Sequence, residues 1–368
     1  MRFDTDVFVV GGGPAGLAAA IAARSKGLSV IVADGARPPI TKTCGEGLLP
    51  DAVAALRKLG VVLGATDGHV LRGISFENGD ASVAARFRGA FGLGVRREVL
   101  HQRMVERAEE CGVSFAWNAP VTGFCDDGVV AGGNKVRARW VVGADGTRSR
   151  VGSWAGLDRR ASRTARFAFR QHYRAKAWSN FTEVHWDGAV QAYVTPVGPE
   201  EICVALISNS AHVRGSDALR RFPELLERLA GVALASSERG AITCTSALQR
   251  VTHGFVALVG DASGTVDAIT GEGLSLGFRQ ALALGDALQS EDLLQYQQAH
   301  RRLMQRPRFM ANLLVFLGQQ VGIRRRTFQA MQAAPNIFDC MLAYHLGETR
   351  PLELAATGAQ FSWRFLTA

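Results

Sequence analysis

Tyrosine is scarce, with four residues in a chain of 368, and aromatic side chains do not interleave with basic ones. That composition excludes a groove that stacks nucleic-acid bases, so no nucleic-acid partner is expected despite a net charge of +9. The excess of positive charge suits phosphates or an anionic surface instead. The six cysteines, Cys44, Cys111, Cys125, Cys203, Cys244 and Cys340, form no CxxC pair. A zinc ribbon and a thioredoxin-type redox pair are thereby excluded, no metal is expected, and reduced thiols in a cytoplasmic protein are the natural reading. Long apolar runs are missing too. The longest, Met310–Gly318, falls far short of the ~20 residues that a spanning helix needs. The chain opens directly on a strand, so no secretory leader is expected. Neither an internal repeat nor a low-complexity linker interrupts it. At most, a peripheral contact with a membrane is expected.

Apolar residues are plentiful, at 47%, and glycine reaches 41 residues, which suits many strand-to-helix turns. Asp6–Val10 and Leu28–Ala33 read as buried parallel strands, and Leu17–Ser25 as an alanine-rich helix. Between the first strand and that helix stands Gly11-x-Gly13-Pro14-Ala15-Gly16. Gly11 permits a tight turn, Gly13 lets the backbone approach a pyrophosphate, and Gly16 allows close packing of helix on strand. The helix N-terminus then favours the negative charge. Asp34, about 20 residues beyond the loop, is the carboxylate expected on an adenosine ribose. Two further strands, Arg139–Val142 and Phe255–Val259, run into Asp145-Gly146 and Gly260-Asp261, and Gly271-Glu272-Gly273 precedes a helix over Leu274–Leu288. Pro50–Leu59, Glu98–Cys111 and Asp217–Leu229 also read as helices.

Leu71–Phe91 alternates around an Asn78-Gly79 turn and reads as a hairpin. From Arg166 to Ser208, strands over Phe167–Tyr173, Thr182–Trp186, Ala189–Thr195 and Glu201–Ile207 follow one another without helices. The expectation is an α/β protein in which a Rossmann-type dinucleotide domain (1–70, 92–160 and 250–300) is interleaved with an antiparallel β-sheet substrate domain (71–91 and 161–249). A helical C-terminal segment, 301–368, follows, with Pro307, Pro335 and Pro351 as expected breaks.

The three glycine–carboxylate segments, in this order and spacing, resemble those of the flavoprotein hydroxylase superfamily, whose fold is that of para-hydroxybenzoate hydroxylase. The resemblance spans about the first 290 residues. It implies non-covalent FAD, with Gly11, Gly13, Pro14, Ala15 and Gly16 at the pyrophosphate and Asp145-Gly146 supporting both pyrophosphate and incoming nicotinamide. It further implies Asp261 on the ribityl chain, Arg97 reaching the FAD, and Gly271 and Gly273 against flavin N1 and C2=O. For Asp145 and Asp261, ordering of their own loops is the alternative role. Lys42-Thr-Cys44-Gly-Glu-Gly-Leu48 and Asp267-Ala-Ile-Thr-Gly-Glu-Gly resemble the geranylgeranyl reductase branch. The branch's Tyr-x-Trp-x-Phe-Pro segment is reduced here to Tyr193 and Pro196, and the tryptophan pair of flavin halogenases is absent.

The resemblance thus implies a FAD-dependent oxidoreductase using NADH or NADPH as transient reductant. A monooxygenase acting on an aromatic or polyketide-like molecule with O2, through a flavin C4a-hydroperoxide, is the first expectation; reduction of isoprenoid or lipid double bonds is the second. The substrate is then a small aromatic or lipophilic molecule. Cys44 is expected beside the flavin, and Tyr193 and His172, among the ring side chains of the second sheet, are expected at the substrate. Glu46 is either a proton donor or a carboxylate at a helix start. Arg308–Leu346, with Arg324, Arg325 and Arg326, is expected to cap the substrate cavity, to rest on a membrane, or simply to pack.

Overall fold

The computed structural model describes residues 3–367 apart from 65, 158 and 189. Its first layer is a sheet ordered Thr252–His253, Val256–Leu258, Asn134–Gly143, Thr5–Val10, Val30–Asp34, Ser114–Trp117. The four strands from Val256–Leu258 to Val30–Asp34 run parallel, with Val9 paired to Val32 on one side and Val142 on the other. Covered on both faces, Thr5–Val10 is buried along almost its whole length rather than alternating, and Val7–Val10 is continuously apolar. The helices Pro14–Ser25 and Gly273–Gln289 pack over this sheet. A Cβ on Gly285 would meet Ala22 at 3.0 Å, so small residues set how closely these two helices approach.

The second layer is a seven-stranded sheet ordered Arg239–Leu248, Arg159–Tyr173, Glu201–Ser208, Val190–Gly198, Phe181–Asp187, Gly73–Asn78, Ala81–Arg86. The expected strands are all there; Ala189, expected to start one of them, lies outside the described residues. Two features differ from expectation. Phe181–Asp187 pairs parallel with Gly73–Asn78, because the hairpin arrives from an earlier part of the chain and joins the sheet edge-on. Arg239–Leu248 forms the far edge, and its half-exposed residues carry little hydrophobic alternation to announce it. A small third sheet, Gly47–Leu48, Gly92–Gly94 and His69–Leu71, joins the layers. There the backbone of Gly94 passes so close to Pro196 that a Cβ would lie 1.7 Å from its carbonyl oxygen.

The C-terminal helices Leu293–Gln319, Val321–Ala333 and Asn336–Leu346 cover one face of the second sheet, with Phe76, Trp186 and Tyr193 meeting Leu314, Phe328 and Phe338. Pro335 and Pro351 stand at helix boundaries as expected, but Pro307 lies inside an unbroken 27-residue helix. Met304, Pro307 and Met310 are all buried on one side of it, and that burial offsets the ~3 kcal/mol cost of an internal proline. Instead of one helix over Asp217–Leu229 there are two, Gly215–Leu219 and Pro223–Leu229. Pro223 holds the preceding Phe222 out of helical geometry, at φ −126° and ψ 76°. Among the described residues no helix is long and apolar enough to cross a membrane.

Candidate active site

The three glycine–carboxylate turns meet at the ends of the parallel strands. Gly11 has φ +111°, and a Cβ on it would lie 2.5 Å from the Ala144 carbonyl oxygen, next to Asp145. A Cβ on Gly16 would lie 1.9 Å from the Gly11 oxygen, so only glycine lets the Pro14–Ser25 helix start here. On the other side of the loop, Gly260 presses against Ala15. Nothing lies within 4 Å of where Gly13 would carry a side chain, and no side chain caps the helix that follows. Its first N–H groups therefore face open space, an arrangement that accepts a pyrophosphate.

The carboxylates around this loop are engaged. Asp34 accepts hydrogen bonds from the N–H groups of Gly12 (2.7 Å) and Ala36 (2.8 Å), and so clamps the loop. Asp145 accepts from the Ser149 hydroxyl at 2.5 Å and from the Arg150 and Val151 N–H groups at 2.7 and 3.1 Å. It orders its own turn and the start of the Arg150–Trp154 helix. Asp261 is ion-paired with Lys42, which brings the segment before Cys44 to the third turn. His101, its pKa lowered by burial, meets the Gly12 carbonyl at 2.8 Å through Nε2. Arg97 begins the Arg97–Glu110 helix nearby, and its Nε is buried without a protein partner. Gly271 and Gly273 flank the start of the Gly273–Gln289 helix, again with no neighbour within 4 Å and no side-chain cap. These glycine cradles, uncapped helix starts and the orphaned guanidinium nitrogen fit a dinucleotide laid across the turns.

From Gly271 a cavity runs between the second sheet and the C-terminal helices. Cys44 and Gly271 line one part of it, and Ile74, Met310, Leu314, Phe338 and Leu342 make most of the rest apolar. Of the expected roles of Arg308–Leu346, the geometry displays two: the segment packs over the second sheet and, in doing so, roofs this cavity. Tyr193 lines the cavity as expected; its hydroxyl donates to the Ile269 carbonyl at 2.7 Å, and burial raises its pKa, which keeps the phenol protonated.

His172 does not line this cavity, contrary to expectation. Its side chain is fully buried behind the Cys44–Leu48 segment, with Nε2 at 2.6 Å from Glu46 Oε2 and Nδ1 at 2.8 Å from the Ser236 hydroxyl. Strand alternation gave the correct inward face, but Glu46 stands between the ring and the chamber. Glu46 itself has φ +59° and also accepts from the Arg170 guanidinium and, at 3.1 Å, from the Arg97 N–H. Burial pushes its carboxyl up, but the bond to His172, the Arg170 charge and the Arg97 N–H outweigh that, and it sits below the usual carboxylate range. Glu46 is thus a carboxylate at a helix start, that of Arg97–Glu110, and is held ionised rather than loaded with a proton. Its ligand atom lies within 4.8 Å of those of His172 and Cys203. The Arg170 cation already occupies the carboxylate, and burial keeps Cys203 a thiol, so the trio is ill suited to a metal ion.

Arg324 is a second correction. It is buried, donating through Nη1 to the carbonyls of Leu317 (3.3 Å) and Gly318 (3.0 Å) and through Nε to Asn78 at 3.0 Å. It satisfies the end of the Leu293–Gln319 helix, leaving only Arg325 and Arg326 exposed. Sequence reasoning missed Arg170, and it missed Glu272 and His345, which meet at 3.6 Å beside the cavity. Glu272 stood in plain view between Gly271 and Gly273; what buries it comes from the far end of the chain.

The chain is 30% identical over 316 residues to the menaquinone reductase of Mycobacterium tuberculosis, covering 78% of this chain and 77% of that protein. It is 30% identical over 303 residues to digeranylgeranylglycerophospholipid reductase 1 of Methanopyrus kandleri, covering 73% and 76%. The fold is also that of a flavoprotein/dehydrogenase from Cytophaga hutchinsonii, with a TM-score of 0.81 at 19% identity over 93% of this chain and 92% of the other. Residues 4–304 match the family described as FAD binding domain. The glycine turns, the uncapped helix starts and the relatives agree: this chain belongs to the FAD binding domain family and is a FAD-dependent oxidoreductase.

Proposed function

We propose that this flavoprotein reduces a carbon–carbon double bond in a lipophilic substrate of the isoprenoid class. The observation that carries this reading is the chamber itself: apolar along Ile74, Met310, Leu314, Phe338 and Leu342, and ending at Cys44 and Gly271. Burial of a hydrocarbon chain there contributes ~25 cal/mol per Å² without any polar partner. The names of the menaquinone and digeranylgeranylglycerophospholipid reductases point the same way. FAD, when bound and reduced, supplies hydride. Gly11, Gly13, Pro14, Ala15 and Gly16 would hold its pyrophosphate, with Asp34 and Asp145 fixing the surrounding loops and Arg97, Gly146 and Asp261 lining its path. Gly271 and Gly273 would present N–H groups to the ring, and Cys44 would pack beside it. NADH or NADPH is the transient reductant in this reading.

Peripheral membrane contact belongs to the same proposal. The Pro351–Thr367 helix buries none of its residues and exposes Leu352, Trp363 and Leu366. That face suits a lipid surface from which such a substrate is collected.

The test is a single anaerobic turnover. Holoprotein reduced with dithionite is mixed with a menaquinone bearing an unsaturated side chain and, separately, with a geranylgeranyl lipid; flavin absorbance and product mass are followed. Flavin reoxidation is expected, with a lipid chain heavier by two hydrogens; the menaquinone product is air-oxidised back to the quinone before its mass is taken, because a quinol carries the same two hydrogens. A product that gains oxygen, and only in air, would establish hydroxylation instead. Reoxidation without a changed lipid in either condition would sink both.

A further inference from the structure

The chamber has one ionisable pair that the proposed function has not used. Glu272, between the two glycines that open the Gly273–Gln289 helix, is buried, and so is His345 on the Asn336–Leu346 helix. Glu272 Oε1 lies 3.6 Å from His345 Nε2. The remaining atoms, Glu272 Oε2 and His345 Nδ1, are buried without a partner. Two orphaned polar atoms in one pair are costly in a folded protein, and such sites are commonly ones where a proton or ligand is handled. His345 lines the chamber, and Glu272 adjoins Gly271, which lines it too.

We propose that Glu272 and His345 deliver the proton that accompanies hydride transfer to the substrate, Glu272 storing it and His345 handing it into the chamber. This inference rests on the reductase reading. A double bond needs both partners of the addition: hydride from reduced flavin forms one C–H bond, and the π pair then takes a proton at the neighbouring carbon. His345 gives that proton from Nδ1 while Nε2 receives the one held by Glu272. The imidazole ends neutral in its other tautomer and Glu272 ends as a carboxylate. At 3.6 Å the pair is in contact but not hydrogen-bonded, and a movement of less than ~1 Å closes the bond.

The surroundings set both groups in the required form. Burial, aided by the nearby Asp51 carboxylate, pushes Glu272 up to about 8 against the opposing pull of Arg279, the Thr270 hydroxyl and Arg306, so it holds a proton at neutral pH. Burial pushes His345 down to about 4, with Asp51 opposing and Arg306 assisting, so it stays neutral. The groups facing the pair are therefore Asp51 on the Pro50–Lys58 helix, Arg279 on the helix of Glu272, and Arg306 on the Leu293–Gln319 helix. Asp51 accepts from Ser275 at 2.5 Å and from Arg279 at 3.2 Å, and both charged groups are partly exposed. That side is the way for solvent to recharge Glu272.

The experiment uses holoprotein, wild type and Glu272→Gln, in two measurements. Infrared difference spectra across a pH titration should show a protonated carboxyl band in wild type that disappears with a midpoint about 8, and no such band in Glu272→Gln. In anaerobic mixing with a geranylgeranyl lipid, Glu272→Gln should reduce its flavin with dithionite as wild type does but reoxidise it at least ~10-fold more slowly. The wild-type rate should fall as pH rises through the same midpoint. His345→Gln should keep the band and lose the rate, and it serves with the wild-type titration should Glu272→Gln not fold. Absence of the band, or an undiminished rate in either variant, overturns the proposal. If wild type reduces no alkene, the proposal falls with the reductase reading, and a band that still titrates near 8 identifies the reading as the part that failed.

Discussion

Arg170→Met offers the sharpest test of what fixes the chamber wall. Arg170 and Glu46 are an ion pair at 1% and 0% side-chain exposure. Removing the guanidinium strands a carboxylate among apolar groups, with only His172 and the Arg97 N–H left to serve it. Breaking such a pair costs ~3–5 kcal/mol, a large share of the ~5–15 kcal/mol by which a protein resists unfolding. Glu46→Gln should cost about as much, since it strands Arg170 instead. The double variant should be less destabilised than the two singles summed, by ~1–3 kcal/mol, because the second change removes the orphan left by the first. Urea unfolding at saturating FAD, followed by fluorescence and circular dichroism, measures all three, and the slope with denaturant should stay constant. The sign with pH is fixed as well. The Glu46 carboxyl lies below its ordinary value of 4.5, so its contribution is complete above that value and is lost as pH falls through the folded one. The gap between wild type and Glu46→Gln should therefore narrow on acidification. Single variants costing under ~1 kcal/mol, or additivity within ~0.5 kcal/mol, would refute the reasoning.

Three further outcomes follow from the geometry. Gly16→Ala forces a Cβ to 1.9 Å from the Gly11 oxygen, so the purified variant should lose its bound flavin colour and regain none with excess FAD; a yellow variant would contradict the turn geometry. Arg324→Ser should destabilise by ~1–3 kcal/mol by stranding the Leu317 and Gly318 carbonyls, while leaving liposome flotation unchanged, whereas Trp363→Ser with Leu366→Ser should reduce flotation if that helix meets lipid.

The parts of this protein legible in its sequence are those whose demands are local. Gly16 is forced by the Gly11 oxygen inside its own turn, and Gly11 and Gly260 by positive φ angles in theirs, so spacing alone reveals them. Tyr193 was legible because alternation assigns a strand residue to a face. His172 lay beyond that reach, since alternation does not say that Glu46, 126 residues earlier, stands in front of it. Glu272 and Arg324 failed for the same reason in opposite directions. Each takes its character from an element distant in the chain: the Asn336–Leu346 helix buries the first, and Asn78 of the hairpin holds the second. A run of three arginines looks like one surface feature, but successive residues on a helix point ~100° apart, and one of the three faced inward.

The unbroken passage of the Leu293–Gln319 helix through Pro307 has a mechanical consequence. Near its start, Tyr296 donates to the Leu258 carbonyl at 2.6 Å and Gln297 accepts from Val251 at 2.8 Å, both beside the strand that leads into Asp261. Some 15 residues on, Met310 and Leu314 roof the chamber. One rod ~40 Å long thus bolts the dinucleotide half to the ceiling of the other half. The ceiling is no independent flap: widening the room for a bulkier guest tilts a beam whose far end is pinned against the flavin's own foundations.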